Sequence, residues 1–413
     1  MNEEFPGWRV LFLAGSLGTG GAPAYLASKA RWLRARGIDV TVVSAGGIGS
    51  EVIDGLGVTH IRIGALRSPA STARPQERTA AVKAMEEIAE MVRPTVVEAA
   101  WPSAAEYGEI LSAAKNLPLM VVELNDHLGR KRYSRLIEKW VGNGQLVVAY
   151  RDARRSISLA TGVDTTSCPF LPIPVRLPGG PGIGRPPEAE EPVVIATVSR
   201  LDRSKRYLAA FMADAVAVEW SGGVRVRVVG DGDDRQRLER LARRWSGRDR
   251  DIEFVGINFD IREALRDVHV FVGQGTAAVQ AASLGLPVVL AGIRAHAGRS
   301  PGVFGADPFL SIGDPFPGQM VRTFRHQIEA LMYDADSWQR ASDKGRRVAQ
   351  EHFDVERVMA KQVELYGILV GRWQSGMCRT EAATVKLDPV RKRTRRAWSS
   401  VSPRTRSLVA FWR

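Results

Sequence analysis

Short apolar runs alternate with segments of helical period along this chain, and the alternation starts again after a proline- and glycine-rich stretch at residues 169–192. Before that stretch, residues 8–14 (WRVLFLA), 39–44 (DVTVVS), 61–63, 95–99, 119–124 (LMVVEL) and 146–150 read as buried strands. Residues 24–37, 76–91, 104–115 and 151–161 read as the helices between and after them. Beyond it come strands at 193–198, 224–229, 252–255, 268–272 and 287–290, with helices at 207–220, 235–245, 261–266 and 277–284. Strands that are apolar throughout, alternating with helices, indicate parallel sheets covered on both faces. A chain of 413 residues that repeats this on either side of a linker is expected to be α/β: two doubly wound, Rossmann-like domains facing a cleft. The first domain is placed at 1–180 and the second at 181–349. A long amphipathic stripe at 350–370 reads as a closing helix, and 371–413 as a basic tail without such a stripe.

That tail carries most of the net charge of +13, because nine basic residues between Lys386 and Arg413 stand against Asp388 alone. Arginines interleaved with Trp398, Phe411 and Trp412 suit an anionic membrane surface, a solvated end or, with least support, nucleic acid. Cys168 and Cys378 form no ligand or redox spacing, which argues against structural zinc or a disulfide framework and for a reducing cytoplasm. The opening residues MNEEFPG lack the charged-then-apolar pattern of a secretion signal. No apolar run approaches the ~18 residues that span a bilayer. The expected location is cytoplasmic, with the 386–413 tail as the candidate contact to the inner membrane face.

Chemistry concentrates at 197–207, TVSRLDRSKRY. This segment leaves a buried strand through a polar turn and presents Arg200 and Lys205 just ahead of a helix. Two fixed cations in that position suit a di-anionic phosphate, although a solvated basic turn has the same spacing. The first strand opens into a second such place, the glycine-rich turn 15–21 (GSLGTGG), where backbone can approach a ligand closely. Its spacing is not GxGxxG, and Ser44 stands where an acid would take a ribose hydroxyl, so no nicotinamide or flavin cofactor is expected.

His127 follows the strand at 119–124, at the end where parallel sheets gather ligands. Asp231, Asp233 and Asp234 imitate a metal-binding DxD, but their place between strand and helix suits turn and capping roles, and no metal is expected. His269 lies within a strand and reads as structural. His296, in the loop AGIRAHAGRSPG, is a lesser candidate for sugar contact. Neither a GxSxG elbow nor paired hydrolytic carboxylates occur.

Taken in order, the glycine loop, the histidine after a middle strand, SRLDRSKR, VVGDGDDRQRLERLA, FVG and AASLGLPVVL resemble the two-domain GT-B glycosyltransferases, and within them glycosyltransferase family 4. The likeness is strongest between Val194 and Gly292. It implies that Arg200 and Lys205 contact the donor diphosphate and that Gly18, Gly20 and Gly21 approach donor phosphates and acceptor. It also implies that His127 faces the sugar, with Gly275, Thr276 and Gln280 at the nucleotide. Retention of anomeric configuration, no metal and no cofactor besides the nucleotide-sugar substrate are further implications, as is a closing helix that returns to the first domain.

The chain departs from the family where two glutamates eight positions apart are usual: Val272 and Gln280 stand there. Pro23 replaces another frequent glutamate. A glutamine amide can hydrogen-bond ribose hydroxyls but brings no negative charge. The expected activity is transfer of a sugar from a nucleotide-sugar donor to a hydroxyl on a glycan or lipid-linked acceptor, in cell-surface polysaccharide or glycolipid synthesis. A non-catalytic relative in a glycan assembly complex is one alternative, prompted by the missing glutamates. A sugar-nucleotide 2-epimerase is the other; it needs cleft carboxylates for proton abstraction, for which Glu98, Glu123 and Asp126 are the candidates.

Overall fold

A computed structural model describes residues 7–18, 21–124, 128–247, 250–258, 260–292, 297–306 and 321–378. Six strands, β1 (Arg9–Ala14), β2 (Asp39–Ser44), β3 (Thr59–Arg62), β4 (Val96–Ala100), β5 (Leu119–Glu123) and β6 (Leu146–Val148), form one sheet ordered β3-β2-β1-β4-β5-β6. All its pairings are parallel. Helices α1 (Gly21–Arg34), α2 (Ser50–Asp54), α3 (Pro75–Val92), α4 (Pro102–Lys115) and α5 (Ser134–Gly142) connect the strands, and α6 (Arg151–Thr161) follows β6. The unbroken apolar runs have a simple cause. Val10 and Phe12 of β1 enter one buried cluster while Leu11 and Leu13 enter the other, so both faces must be apolar.

The second sheet holds β7 (Val193–Val198), β8 (Val224–Val229), β9 (Arg250–Gly256), β10 (Val270–Gly273) and β11 (Val288–Leu290), again all parallel, ordered β11-β10-β7-β8-β9. Around it lie α7 (Tyr207–Val216), α8 (Arg235–Trp245), α9 (Ile261–Ala264), α10 (Thr276–Ser283), α11 (Phe324–Met332) and α12 (Ala335–Val348). The result is two Rossmann-like domains. In each sheet the strand order reverses beside the first strand, between β1 and β4 and between β7 and β10. Loops at the carboxyl ends of those strands diverge there and leave a crevice for ligand.

The chain crosses between the sheets twice, and the crossings hold each other. Val175 N–H donates to the Phe353 carbonyl (2.8 Å), and Val355 N–H donates to the Val175 carbonyl (3.0 Å). After the second crossing, α13 (Val355–Gln374) returns to the first domain and buries Val358, Met359, Val363, Tyr366 and Leu369 against Phe12, Tyr25 and Leu26. Each fully buried aliphatic side chain contributes ~1.5–3 kcal/mol relative to exposure. The stripe at 350–370 is therefore not one helix. Ala349–Phe353 forms a π-turn, Asp354 is extended (ψ 131°), and its carboxylate caps α13 by accepting the Glu356 N–H at 2.9 Å. No helix among the described residues is long and apolar enough to cross a membrane. The basic residues from 386 to 413 lie outside the described residues.

Candidate active site

At the crevice between β7 and β10, the chain leaves β7 through residues 199–206. Ser199 N–H donates to the Val229 carbonyl (3.0 Å), Leu201 N–H to the Asp231 carbonyl (2.9 Å) and Asp234 N–H to the Leu201 carbonyl (2.8 Å). The basic turn is thus fastened to the loop that follows β8. Gly230 permits this approach: its φ is +132°, and a Cβ there would lie 1.9 Å from the Ser199 carbonyl oxygen. Gly230→Ala is expected to push the turn away, lowering the melting temperature by several degrees and weakening any nucleotide-dependent stabilisation. A variant that melts and binds like wild type would show that the turn is not so held.

On this platform Arg200 is 43% exposed and pairs with Asp202 Oδ2 at 3.1 Å. Asp202 Oδ1 accepts the Ser204 N–H at 2.8 Å. Burial opposes ionisation of Asp202, but Ser204, Arg200 and Lys205 hold its carboxyl below the usual value. Lys205 is half-buried, and its ammonium has no hydrogen-bond or ion-pair partner among the described residues. Burial, and then the neighbouring Arg200 charge, lower the Lys205 pKa from the ordinary 10.5, with Asp202 offsetting part of the effect. Two cations share one acid, which leaves surplus positive charge on this turn.

The other wall comes from β10 and α10. Gly275, at φ +71°, turns the chain into α10, whose first residue is Thr276 and whose first amides have no partner within the helix. Gln280 sits one turn later, and its Nε2 donates to the Arg176 carbonyl, in the first interdomain crossing, at 3.3 Å. Val272 is fully buried in β10.

In the first domain, the turn after β1 packs on the loop after β2. Leu17 N–H donates to the Gly46 carbonyl (2.9 Å), and Gly49 N–H donates to the Leu17 carbonyl (3.0 Å). Gly18 is exposed, with open space where a Cβ would stand. Gly21 is the first residue of α1, while Gly20 lies outside the described residues. Pro23 is buried against Gly49, in the first turn of α1 where its missing N–H is harmless. His127 and His296 also lie outside the described residues.

Sequence reasoning missed Trp101, which follows β4 at the point where the first sheet's strand order reverses. Its φ of +73° is a strained value for a bulky residue, and its ring meets Tyr25 edge-on with centroids 6.4 Å apart. Its signal was a tryptophan between a strand and a proline.

Two family models match the chain: one described as a glycosyl transferase 4-like domain over residues 20–174, the other as glycosyl transferases group 1 over residues 192–305. The chain belongs to the GT-B glycosyltransferases, family 4 type. Solved structures share the fold. A glycosyltransferase from Rickettsia africae is 12% identical with a TM-score of 0.67, covering 89% of this chain and 99% of its own. HepE of Anabaena, solved with UDP and glucose, is 16% identical with a TM-score of 0.63, covering 87% and 100%. Sucrose-phosphate synthase from Thermosynechococcus elongatus is 16% identical with a TM-score of 0.60, covering 88% and 99%. Comparison with curated proteins gave no match.

Several carboxylates of this glycosyltransferase are committed elsewhere. Asp234 is buried and paired bidentately with Arg237 (2.8 and 2.6 Å), and Asp231 accepts the Gly232 N–H at 2.7 Å. Glu123 is buried and accepts the Leu128 N–H at 2.7 Å. Glu98, proposed above as a candidate for proton abstraction, is 1% exposed and ion-paired to Lys29 in the core. Asp126 lies outside the described residues. His269 is in the core as well: its Nδ1 accepts the Val194 N–H at 2.9 Å, and burial lowers its pKa.

Proposed function

We propose that this glycosyltransferase moves a sugar from a nucleotide-sugar, held by the second domain (181–349), to a hydroxyl of a glycan or lipid-linked acceptor held by the first (1–180). The observation that carries this reading is the Arg200–Lys205 pair, two cations sharing one acid at the crevice of the second sheet. As the glycosidic bond lengthens, negative charge collects on the departing diphosphate, and in this reading the two cations neutralise it. Gly275 and Thr276 bring the amides of α10 to the same phosphates. Gln280 turns its amide to the ribose, releasing the Arg176 carbonyl. Gly18, Gly20 and Gly21 let backbone approach from the first domain, and His127 faces the sugar.

The solved HepE complexes with UDP and with UDP-glucose support a nucleotide-sugar donor. Because Asp231 and Asp234 are occupied by their own loop and by α8, the phosphate charge is assigned to Arg200 and Lys205 rather than to a metal. Retention of configuration, a role in cell-surface polysaccharide or glycolipid synthesis, and a cytoplasmic enzyme touching the membrane through its 386–413 tail complete the proposal.

The test is a thermal-shift panel of UDP, GDP and ADP and their sugars. Stabilisation by one nucleoside diphosphate names the base; at a hundred times Kd the gain is about 2.7 kcal/mol. No shift with any member overturns the reading. Stabilisation without sugar transfer to any acceptor would instead favour a non-catalytic relative, a reading that Val272 in the core already motivates.

The pH dependence has a definite sign. Lys205 attracts the diphosphate only while charged, so affinity falls as pH rises through its pKa, which lies below the ordinary 10.5. Arg200→Ala removes the like charge and raises that pKa, moving the fall to higher pH while weakening binding overall. Titrating nucleotide affinity against pH in both proteins checks this. A fall at the same pH in both would show that the two cations do not interact.

A further inference from the structure

The carboxyl edge of the first sheet carries cations that the reading above does not use. The segment leaving β5 runs through Arg130, Lys131 and Arg132 into α5, whose first turn adds Arg135. Arg154 and Arg155 stand on α6, which leaves the same edge after β6. The two pieces touch: the Ser134 hydroxyl donates to the Thr161 carbonyl at 3.1 Å. All but Arg154 are exposed.

None of the six forms an ion pair among the described residues, whereas Lys115, Lys139 and Arg62 of the same domain pair with Glu90, Glu109 and Asp54. Arg132 lies over the Tyr133 ring, 4.6 Å from its centroid, and the buried Nε of Arg154 has no hydrogen-bond partner among the described residues. Among the described residues, the exposed acids on and next to these elements are Glu138 and Asp164, and Asp164 accepts the Thr166 N–H at 2.9 Å.

We propose that this surface binds the anionic groups, carboxylate or phosphate, of the acceptor glycan; the proposal rests on the reading that the first domain takes the acceptor. Five of the six cations are arginines. A guanidinium fork matches a planar carboxylate or a phosphate bidentately, whereas a diffuse attraction to a membrane needs only point charges. His127, expected to face the sugar, lies three residues before Arg130 in the sequence. Selection among acceptors then depends on charge at a distance from the reacting hydroxyl.

The test uses the full chain and a variant carrying Arg130→Ser, Lys131→Ser and Arg132→Ser together. The probes are hexagalacturonate, its neutral methyl ester, a phosphorylated mannose oligosaccharide and vesicles containing phosphatidylglycerol. At least one anionic glycan is expected to bind at least tenfold more tightly than the ester, less so at high salt, and to lose that preference in the variant. The nucleotide-dependent thermal shift is expected to be unchanged, so a failure of the donor reading registers separately. Equal binding of charged and neutral glycans, binding indifferent to the triple substitution, or a variant defect seen with vesicles alone would overturn the proposal, the last pointing to a membrane contact.

Discussion

Arg200→Ala combined with Lys205→Ala is expected to abolish donor binding at micromolar nucleotide and to reduce transfer by at least a thousandfold. Each cation is expected to donate a charge-assisted hydrogen bond to the diphosphate, worth ~1.5–3 kcal/mol in binding. Losing both corresponds to a fall in affinity of roughly 10²–10⁴. Removing a group that stabilises transition-state charge lowers the rate by a further ~10²–10³. The fold has no reason to suffer. Arg200 is an exposed partner in a surface pair, which is worth ~0–1 kcal/mol, and deleting the half-buried Lys205 ammonium removes a charge that its burial disfavours. Unchanged melting without ligand, with the nucleotide shift gone, is the expected pattern. A double variant that still transfers sugar at a tenth of the wild-type rate would remove these residues from the mechanism.

The second large effect concerns stability. Both oxygens of Glu98, in β4, are taken up in the core. Lys29 of α1 donates to them, with Oε2 at 2.6 Å; the Tyr25 hydroxyl donates to Oε1 at 3.0 Å; and Tyr366 and Gln362 of α13 donate to Oε2. Lys29 is fully buried, and burial pushes its pKa down to about 8 against the opposing pull of Glu98. Glu98→Ala strips the ammonium of its counter-charge and leaves the donors from α13 unmet. The expected loss is ~3–5 kcal/mol, a large part of the ~5–15 kcal/mol that holds a domain folded.

Lys29→Met should be milder, because the carboxylate keeps three neutral donors. Combining Lys29→Met with Glu98→Ala should cost less than the two single effects summed. Chemical denaturation of the four proteins measures the coupling. Additive losses would mean that the pair is not an interacting unit.

The sequence displays some of this and conceals the rest for definite reasons. Val193–Val198, Val224–Val229, Arg235–Trp245 and Arg151–Thr161 are legible to the residue, since an apolar run or a helical stripe ends abruptly at glycine, proline or a polar turn. Helices α5, α11 and α12 escape notice. In ADSWQRASDKGRRV, for example, Trp338 and Val348 bury their side chains among mostly charged neighbours, too sparse a stripe to count. The closing helix is read five residues early because its apolar period runs on through the π-turn to Asp354.

The basic turn at Arg200 and Lys205 is visible as a motif, but its attachment to Gly230 is a contact across strands that spacing cannot express. Glu98 shows the limit most clearly. A glutamate in a strand near a presumed cleft suggests chemistry until a lysine 69 residues away neutralises it inside the core.

That same arrangement constrains how the protein is made. The core of the first domain includes Val355, Met359, Val363, Tyr366 and Leu369, which leave the ribosome after the whole second domain. A nascent chain released up to residue 349 therefore holds Lys29 and Glu98 beneath a strip of apolar surface awaiting its last helix. Domains usually fold in the order they emerge, the N-terminal one first. Here the first to appear is the last to be sealed, and arrest of translation within α13 would leave an open, aggregation-prone first domain beside a finished second one.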